Sequence, residues 1–303
     1  MEYIDAKKIV MNNKHLNWDY MVYEYYMNIY WGCPHGCIYC YARSDYYDQI
    51  GNLGGNFHCV RAKKNALEII RNDLRSKVRK GVVCMGGMSD PYNPVEKEHK
   101  LTRHSLELLN AFGFGTCFLT KSDLATRDTD VLLDIKEHSP VSVGFSITCS
   151  DDETGRKVEP FVSTTTERFN AIEHLSKKGI ITGVFMDPVI PYITDTTENV
   201  REMVKKAKYY GAKFIYMSAQ VTMADGQREY FYREAEKYYP GISEKYKNRY
   251  QNYYYCRSPV SKKLWSTFTD ACEKEGISYD MRAVNQMIRR GYDISVLSRR
   301  DDD

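Results

Sequence analysis

Short apolar runs alternate with amphipathic stretches along most of this chain. Val82–Met85, Thr116–Thr120, Val141–Thr148, Ile180–Asp187 and Lys213–Ser218 are apolar and partly β-branched, which predicts buried strands. Upstream, the tyrosine-rich run Val22–Trp31 predicts a first strand. Between them, Ala66–Lys80 places Leu67, Ile70, Leu74 and Val78 at helical spacing, and Arg103–Phe112, Asp128–His138, Thr166–Lys178 and Thr197–Tyr210 also read as helices. Gly113, Gly179 and Gly211 stand where helix C-caps are expected. Strands alternating with helices imply an α/β domain with a parallel sheet and right-handed crossovers.

In such sheets, ligands bind at the carboxyl ends of the strands. The unusual sequences of this chain fall there: GGMSDPYNP, TKSD, TCSDDETGRKVEP, DPVIP and SAQVTMADG follow successive strands. Residues 1–20 have little periodicity and read as an amino-terminal arm, residues 21–226 as the α/β unit, and residues 227–303 as a carboxyl-terminal helical extension of the same domain, with one helix over Ser261–Lys274. The extension mixes tyrosines with Lys245, Lys247, Arg249, Arg257, Lys262 and Lys263. Such a mixture suits either a solvated helical cover or a surface on which nucleobases stack.

Composition narrows the possibilities. The chain of 303 residues is long enough for one sizeable core, and a net charge of +3 with mixed signs is no strong nucleic-acid signature. The first twenty residues carry no apolar signal segment, and no run approaches a membrane span, so a cytoplasmic protein is expected. Its nine cysteines are then expected to be reduced. Cys84, Cys117 and Cys149 sit in strand-like runs and read as core packing, while Cys59, Cys256 and Cys272 follow no pairing pattern.

Cys33, Cys37 and Cys40 differ from these. They form a Cys-x3-Cys-x2-Cys run in NIYWGCPHGCIYCYAR, within a loop that Gly32, Pro34 and Gly36 keep from being helix or strand. Three thiolates at this spacing can ligate a 4Fe-4S cluster and leave one iron with an open position, where chemistry can occur. The alternative is a non-enzymatic zinc site in an adaptor, completed by His35 or Cys59, although no second Cys-x2-Cys pair exists.

The cysteine spacing, with Tyr39 before the third cysteine, resembles the radical S-adenosylmethionine (SAM) superfamily. YWGC-x3-C-x2-CYAR, Ser89–Pro94, Leu101–Arg103, Thr120–Ser122, Arg127–Asp128, Glu159–Pro160 and Pro188–Pro191 together resemble its spore-photoproduct-lyase-like branch over residues 25–220. The resemblance implies a partial (β/α)6 barrel, open on one side. It also implies a 4Fe-4S cluster on Cys33, Cys37 and Cys40, SAM chelated at the fourth iron, and a 5′-deoxyadenosyl radical made by reductive cleavage of SAM.

By the same resemblance Tyr39 lies against the adenine. Gly86, Gly87 and Asp90 take the place of the segment that binds the SAM amino group, with either Asp90 or the strand carbonyls standing in for a missing glutamate. Lys121 and Ser122 meet the SAM carboxylate, Ser146 and Thr148 reach the ribose, and Glu159 is a further cofactor contact, with Arg168 beside it. Tyr92, Arg127, Asp128, Asp187 and Tyr192 at strand ends are candidate substrate contacts.

One departure bears on function. Spore photoproduct lyases carry a cysteine two positions before the serine of Ser-Asp-Pro, and that position here is Gly87. Cys84 lies three residues earlier, where strand alternation points it elsewhere. The expectation is therefore a lyase of a small nucleoside or nucleotide, with queuosine or queuosine 5′-phosphate as substrate and queuine as product, by similarity to clostridial queuosine lyases. A radical enzyme that modifies or repairs DNA or RNA is the alternative. An electron donor of flavodoxin or ferredoxin type is the implied partner.

Overall fold

The computed structural model describes residues 1–51 and 53–292. The part of the expected carboxyl-terminal extension from residue 293 onward lies outside the described residues. A seven-stranded sheet runs in the order Phe214–Met217, Ile181–Met186, Val141–Ser146, Gly115–Thr120, Val82–Met85, Tyr25–Met27 and Val10–Asn12. The first six are parallel to their neighbours, and Val10–Asn12 is an antiparallel edge. Among the described residues no ladder joins Phe214–Met217 back to Tyr25–Met27, so the sheet is a partial (β/α)6 barrel with an open side.

Strand alternation divides the apolar residues between two layers. Val83, Met85, Phe118 and Val143 face the outer helices and pack with Leu106, Leu109, Leu132 and Ile172. Val82, Cys84, Cys117, Leu119 and Phe185 face the lumen. Gly144 and Gly183 stand in register on adjacent strands. A Cβ at Gly144 would lie 2.3 Å from a Leu119 methyl, and one at Gly183 would lie 2.2 Å from the Phe214 ring. Two glycines thus make the space that bulky luminal side chains fill.

The helices between strands end and begin where local chemistry predicts. Thr164 and Glu167 form a reciprocal capping box before Thr165–Lys177. Gly113 ends Leu101–Phe112 at φ +70°, a conformation that favours glycine. No described helix is long and apolar enough to cross a membrane.

Three elements differ from the sequence reading. The run Val22–Trp31 is two strands: Tyr25–Met27 enters the main sheet, whereas Tyr30–Trp31 pairs with Arg61–Lys63 in a separate small sheet. Asn28 makes the break, because its Oδ1 accepts from the Met88 amide at 3.2 Å. The first twenty residues contain Glu2–Ile4, paired with Arg61–Lys63, and Val10–Asn12. The amides of Ile9 and Val10 are held by Asp73 Oδ2 at 2.7 and 2.8 Å. Beyond Gly226, the helices are joined by a short strand, Tyr255–Arg257, antiparallel to Gln220–Thr222.

The lower end of the lumen is closed by the helix Met281–Arg289, which inserts Met281, Val284 and Ile288. Asn285 fastens it to the amino-terminal segment: its Oδ1 accepts from Val22 N at 3.1 Å, and its Nδ2 donates to Tyr20 O at 2.6 Å. Arg289 pairs with Glu24 at 3.0 Å. With this end sealed, ligands have access to the lumen from the carboxyl ends of the strands.

Candidate functional site

Cys33, Cys37 and Cys40 lie at that open end, the first two buried and Cys40 partly so. Backbone bonds set the loop: Cys33 N donates to Phe57 O at 2.7 Å, and Ile38 N to Val158 O at 3.0 Å. Gly32 and Gly36 have φ of +74° and +72°. A Cβ at Gly32 would meet the Cys59 carbonyl oxygen at 2.3 Å. Glycine is required there both by conformation and by space.

The charges around the three thiols are uneven. Burial, the largest influence on Cys33, pushes its thiol up, but the charge and hydrogen bond of His35 outweigh it and leave the thiol below its usual range. Burial pushes Cys37 well up and also raises Cys40, with neighbouring thiols adding to both shifts. Arg43 works in the opposite direction on Cys40. Among the described residues no three Cys, His, Asp or Glu side chains converge on a single metal ion. The three thiols lie within charge range of one another, and a cubane takes one thiolate per iron, so this donor set suits a 4Fe-4S cluster with one open iron.

Lys121 enters from the third strand and Glu159 from the loop after the fourth. Lys121 Nζ donates to Ser146 Oγ at 2.9 Å and lies 5.7 Å from the centre of the Tyr39 ring. Burial works against its charge, but Cys37 and Glu159 prevail and raise it. Glu159 is fully buried and ion-paired with Arg168 at 2.7 Å. Burial raises its carboxyl, yet Arg168 and Lys121 hold it below the usual value. The Tyr39 hydroxyl donates to Glu159 and sits 3.0 Å from Thr148 Oγ1. The Tyr39 carbonyl accepts from Gln227 Nε2 at 2.8 Å.

Gly86 and Gly87 have φ of +92° and +132°. The Gly87 carbonyl accepts from the Tyr41 hydroxyl at 2.6 Å. Asp90 is taken up by protein donors: Tyr92 N at 2.8 Å, Thr120 Oγ1 at 2.7 Å and Lys121 N at 2.7 Å. The Ser122 hydroxyl caps the 3-10 turn Asp123–Asp128 by accepting from Leu124 N. Asp90 and Ser122 thus shape the strand ends as much as they face them.

The expected substrate residues divide. Asp187 lies at the lumen mouth, where burial raises its carboxyl while Lys121 and the Ser218 hydroxyl act to lower it. Tyr92 is fully buried against Phe118. Arg127 pairs with Glu96 at 2.8 Å and with Asp128 at 2.7 Å, and Asp128 also meets Arg103 at 3.2 Å. Arg127 and Asp128 thus belong to a partly buried ion-pair network, with Tyr92 packed beside it, and these three are not brought together with Asp187. Tyr192 belongs to the apolar cluster that includes Cys37, Ile38 and Tyr39, edge-on to Tyr246 at 5.9 Å.

Sequence reasoning missed Tyr20, Tyr216 and Ser218, and it named His35 only as a possible zinc ligand. Tyr20 and Tyr216 meet edge to face at 5.1 Å and lie within charge range of Asp187. Cys84 lines the lumen beside Tyr20, Tyr23 and Tyr41, in register with Cys117, and is only partly buried. This corrects the expectation that alternation turns Cys84 away: Val83 and Met85 face the helices, so Cys84 faces inward.

Residues 27–207 match the Radical SAM superfamily. Protein MJ0683 of Methanocaldococcus jannaschii is 33% identical over 196 residues, covering 65% of this chain and 72% of that one. A radical SAM Nα-GlyT isomerase of Pseudomonas phage M6 is 23% identical over 59% of this chain and 35% of its own length. Among solved structures, a spore photoproduct lyase with bound AdoMet and dinucleoside spore photoproduct has a TM-score of 0.61 at 17% identity, covering 83% of this chain and 74% of that one. The methyltransferase TsrM from Kitasatospora setae has a TM-score of 0.53 at 10% identity, covering 81% and 51%. Those two structural likenesses concern the fold.

Proposed function

This chain belongs to the radical SAM superfamily, and on that premise we propose that it is a lyase that abstracts hydrogen from a nucleoside-type substrate. Queuosine or queuosine 5′-phosphate is the specific candidate, with queuine as the released base. The family's cofactors are a 4Fe-4S cluster and SAM, which when bound supply a 5′-deoxyadenosyl radical. Cys33, Cys37 and Cys40 would hold the cluster. Tyr39, Gly86, Gly87, Asp90, Lys121, Ser122, Ser146, Thr148 and Glu159 frame the adjoining space for SAM, and an electron donor of flavodoxin or ferredoxin type would serve the site.

The observation that carries the substrate class is the make-up of the lumen mouth. The Asp187 carboxyl stands with the rings of Tyr20 and Tyr216 and within charge range of Lys121. Aromatic walls suit a planar base, and a carboxyl suits the N–H groups on its edge. Asp187 would orient the substrate, the tyrosines would fix its plane, and the sealed lower lumen would exclude water from a reactive intermediate.

The test is an anaerobic assay of 5′-deoxyadenosine with SAM and dithionite, alone and with queuosine 5′-phosphate or a short oligonucleotide. Queuine formed together with 5′-deoxyadenosine, and lost when Cys33, Cys37 and Cys40 become Ala, is the expected result. Turnover with the oligonucleotide alone would move the activity to polymers. Protein that binds no iron after reconstitution would overturn the reading.

A further inference from the structure

We propose that Arg43 is the charge-compensating residue of the cluster held by Cys33, Cys37 and Cys40, and that it sets the cluster's reduction equilibrium; the proposal rests on the radical SAM reading above. Arg43 closes the short turn Tyr41–Arg43 directly after the third cysteine, and its amide donates to Cys40 O at 3.2 Å. Its guanidinium carbon lies 4.0 Å from the centre of the Tyr230 ring and 4.8 Å from that of Phe57. Nη2 is 3.1 Å from His58 Nε2. Nε is buried without a hydrogen-bond partner.

Unlike three other partly or fully buried arginines, this one lacks an acid. Arg168 faces Glu159, Arg127 faces Glu96 and Asp128, and Arg289 faces Glu24. Among the described residues no carboxylate pairs with Arg43. A cation kept partly out of water, with no acid beside it, favours an anionic neighbour. The two rings under it are tied to the cysteine loop itself: Phe57 O accepts from Cys33 N at 2.7 Å, and the helix that carries Tyr230 reaches Tyr39 O through Gln227 at 2.8 Å. The charge is therefore held relative to the loop by protein contacts, not by solvent.

Reduction of a bound cluster would take one electron from dithionite, or from a low-potential iron–sulfur or flavin protein, with no bond made or broken. The added negative charge would be stabilised by a fixed cation at Arg43 more than the oxidised state would be. Arg43 would be a positioning residue in this sense, with an effect on potential that packing alone would not produce.

The experiment is a redox titration of the full-length, anaerobically reconstituted protein, followed by electron paramagnetic resonance, with iron counted in every sample. Arg43→Gln is expected to shift the reduction equilibrium about tenfold against the reduced state, or ~59 mV more negative for a one-electron couple. Arg43→Lys, which keeps the charge, is expected to stay nearer the parent than Arg43→Gln does. A parent-like midpoint in Arg43→Gln, or equal shifts in both variants, overturns the proposal. If Arg43→Gln holds no iron, Tyr230→Leu decides: a negative shift supports the proposal and an unmoved midpoint overturns it. Failure of the parent to bind iron overturns the radical SAM reading as well, whereas an intact cluster with an unmoved midpoint overturns only the role of Arg43.

Discussion

The Oδ2 of Asp90 lies 3.6 Å from Nδ1 of His35, so the loop after the second strand meets the cysteine loop through one carboxylate. The same group accepts from Tyr92 N, Thr120 Oγ1 and Lys121 N. An amide in its place would keep one acceptor and turn the other into a donor. Asp90→Asn is expected to lower stability by about 2 kcal/mol and to weaken iron retention on gel filtration. Denaturant midpoints and iron counts measure both, and a variant that keeps parent values in both would show that Asp90 does not join the two loops.

The Glu159–Arg168 pair is fully buried. Replacing one partner leaves a buried charge without its counter-ion, which typically costs about 3–5 kcal/mol. Glu159→Gln is therefore expected to be among the most destabilising single changes at the site, read by thermal unfolding. The Glu159 carboxyl is held below its usual value of about 4.3. A depressed carboxyl contributes stability that is present above that value and lost as the pH falls through the lower, folded-state value. The parent should lose stability on acidification below pH ~4 more steeply than Glu159→Gln.

Gly32 and Gly36 separate conformational strain from crowding. Both have positive φ. At Gly32 an added Cβ meets the backbone oxygen of Cys59 at 2.3 Å, while at Gly36 it meets the Phe161 ring at 2.8 Å. Phe161 is 66% exposed and can swing aside. Gly32→Ala is expected to abolish iron uptake while far-ultraviolet circular dichroism stays near the parent, and Gly36→Ala to reduce uptake only in part. Equal losses in the two variants would mean that φ alone, not the contact with Cys59, is decisive.

Asp187→Asn tests the substrate side of the lumen. Hydrogen bonds to a charged group contribute about 1.5–3 kcal/mol, so kcat/KM for the nucleoside is expected to fall about 10- to 100-fold. SAM cleavage without substrate should persist, because Asp187 is not among the residues assigned to the cluster or to SAM. Parallel assays of queuine and 5′-deoxyadenosine distinguish the two: loss of both together would move Asp187 to the cofactor side.

The sheet was legible because its signals are local. Runs such as Val141–Ser146 and Ile181–Met186 are apolar and bounded by turn residues, and the spacing of three cysteines needs no tertiary knowledge. The split at Asn28 was not legible, since what breaks the strand is a bond to Met88, 60 positions away. Arg127 and Asp128 were expected in the site because they follow a strand end. Their partners Glu96 and Arg103 draw them behind it, and such pairing is a tertiary fact. Tyr20 was hidden for the same reason: it reaches the lumen from a stretch without periodicity.

The floor of the lumen also orders events in time. Helix Met281–Arg289 reaches Trp18, Tyr20 and Val22 through Asn285 and Arg289, across sequence separations of 265 to 267 residues. A nascent chain carrying all six parallel strands still lacks Met281, Val284 and Ile288, and so leaves Val82, Phe185 and Phe214 uncovered from below. Such distant contacts carry a large loop-closure entropy and form late. The floor is therefore expected to close after the strands have paired, and iron delivered before helix Met281–Arg289 docks would meet three thiols in a site that water reaches from two sides.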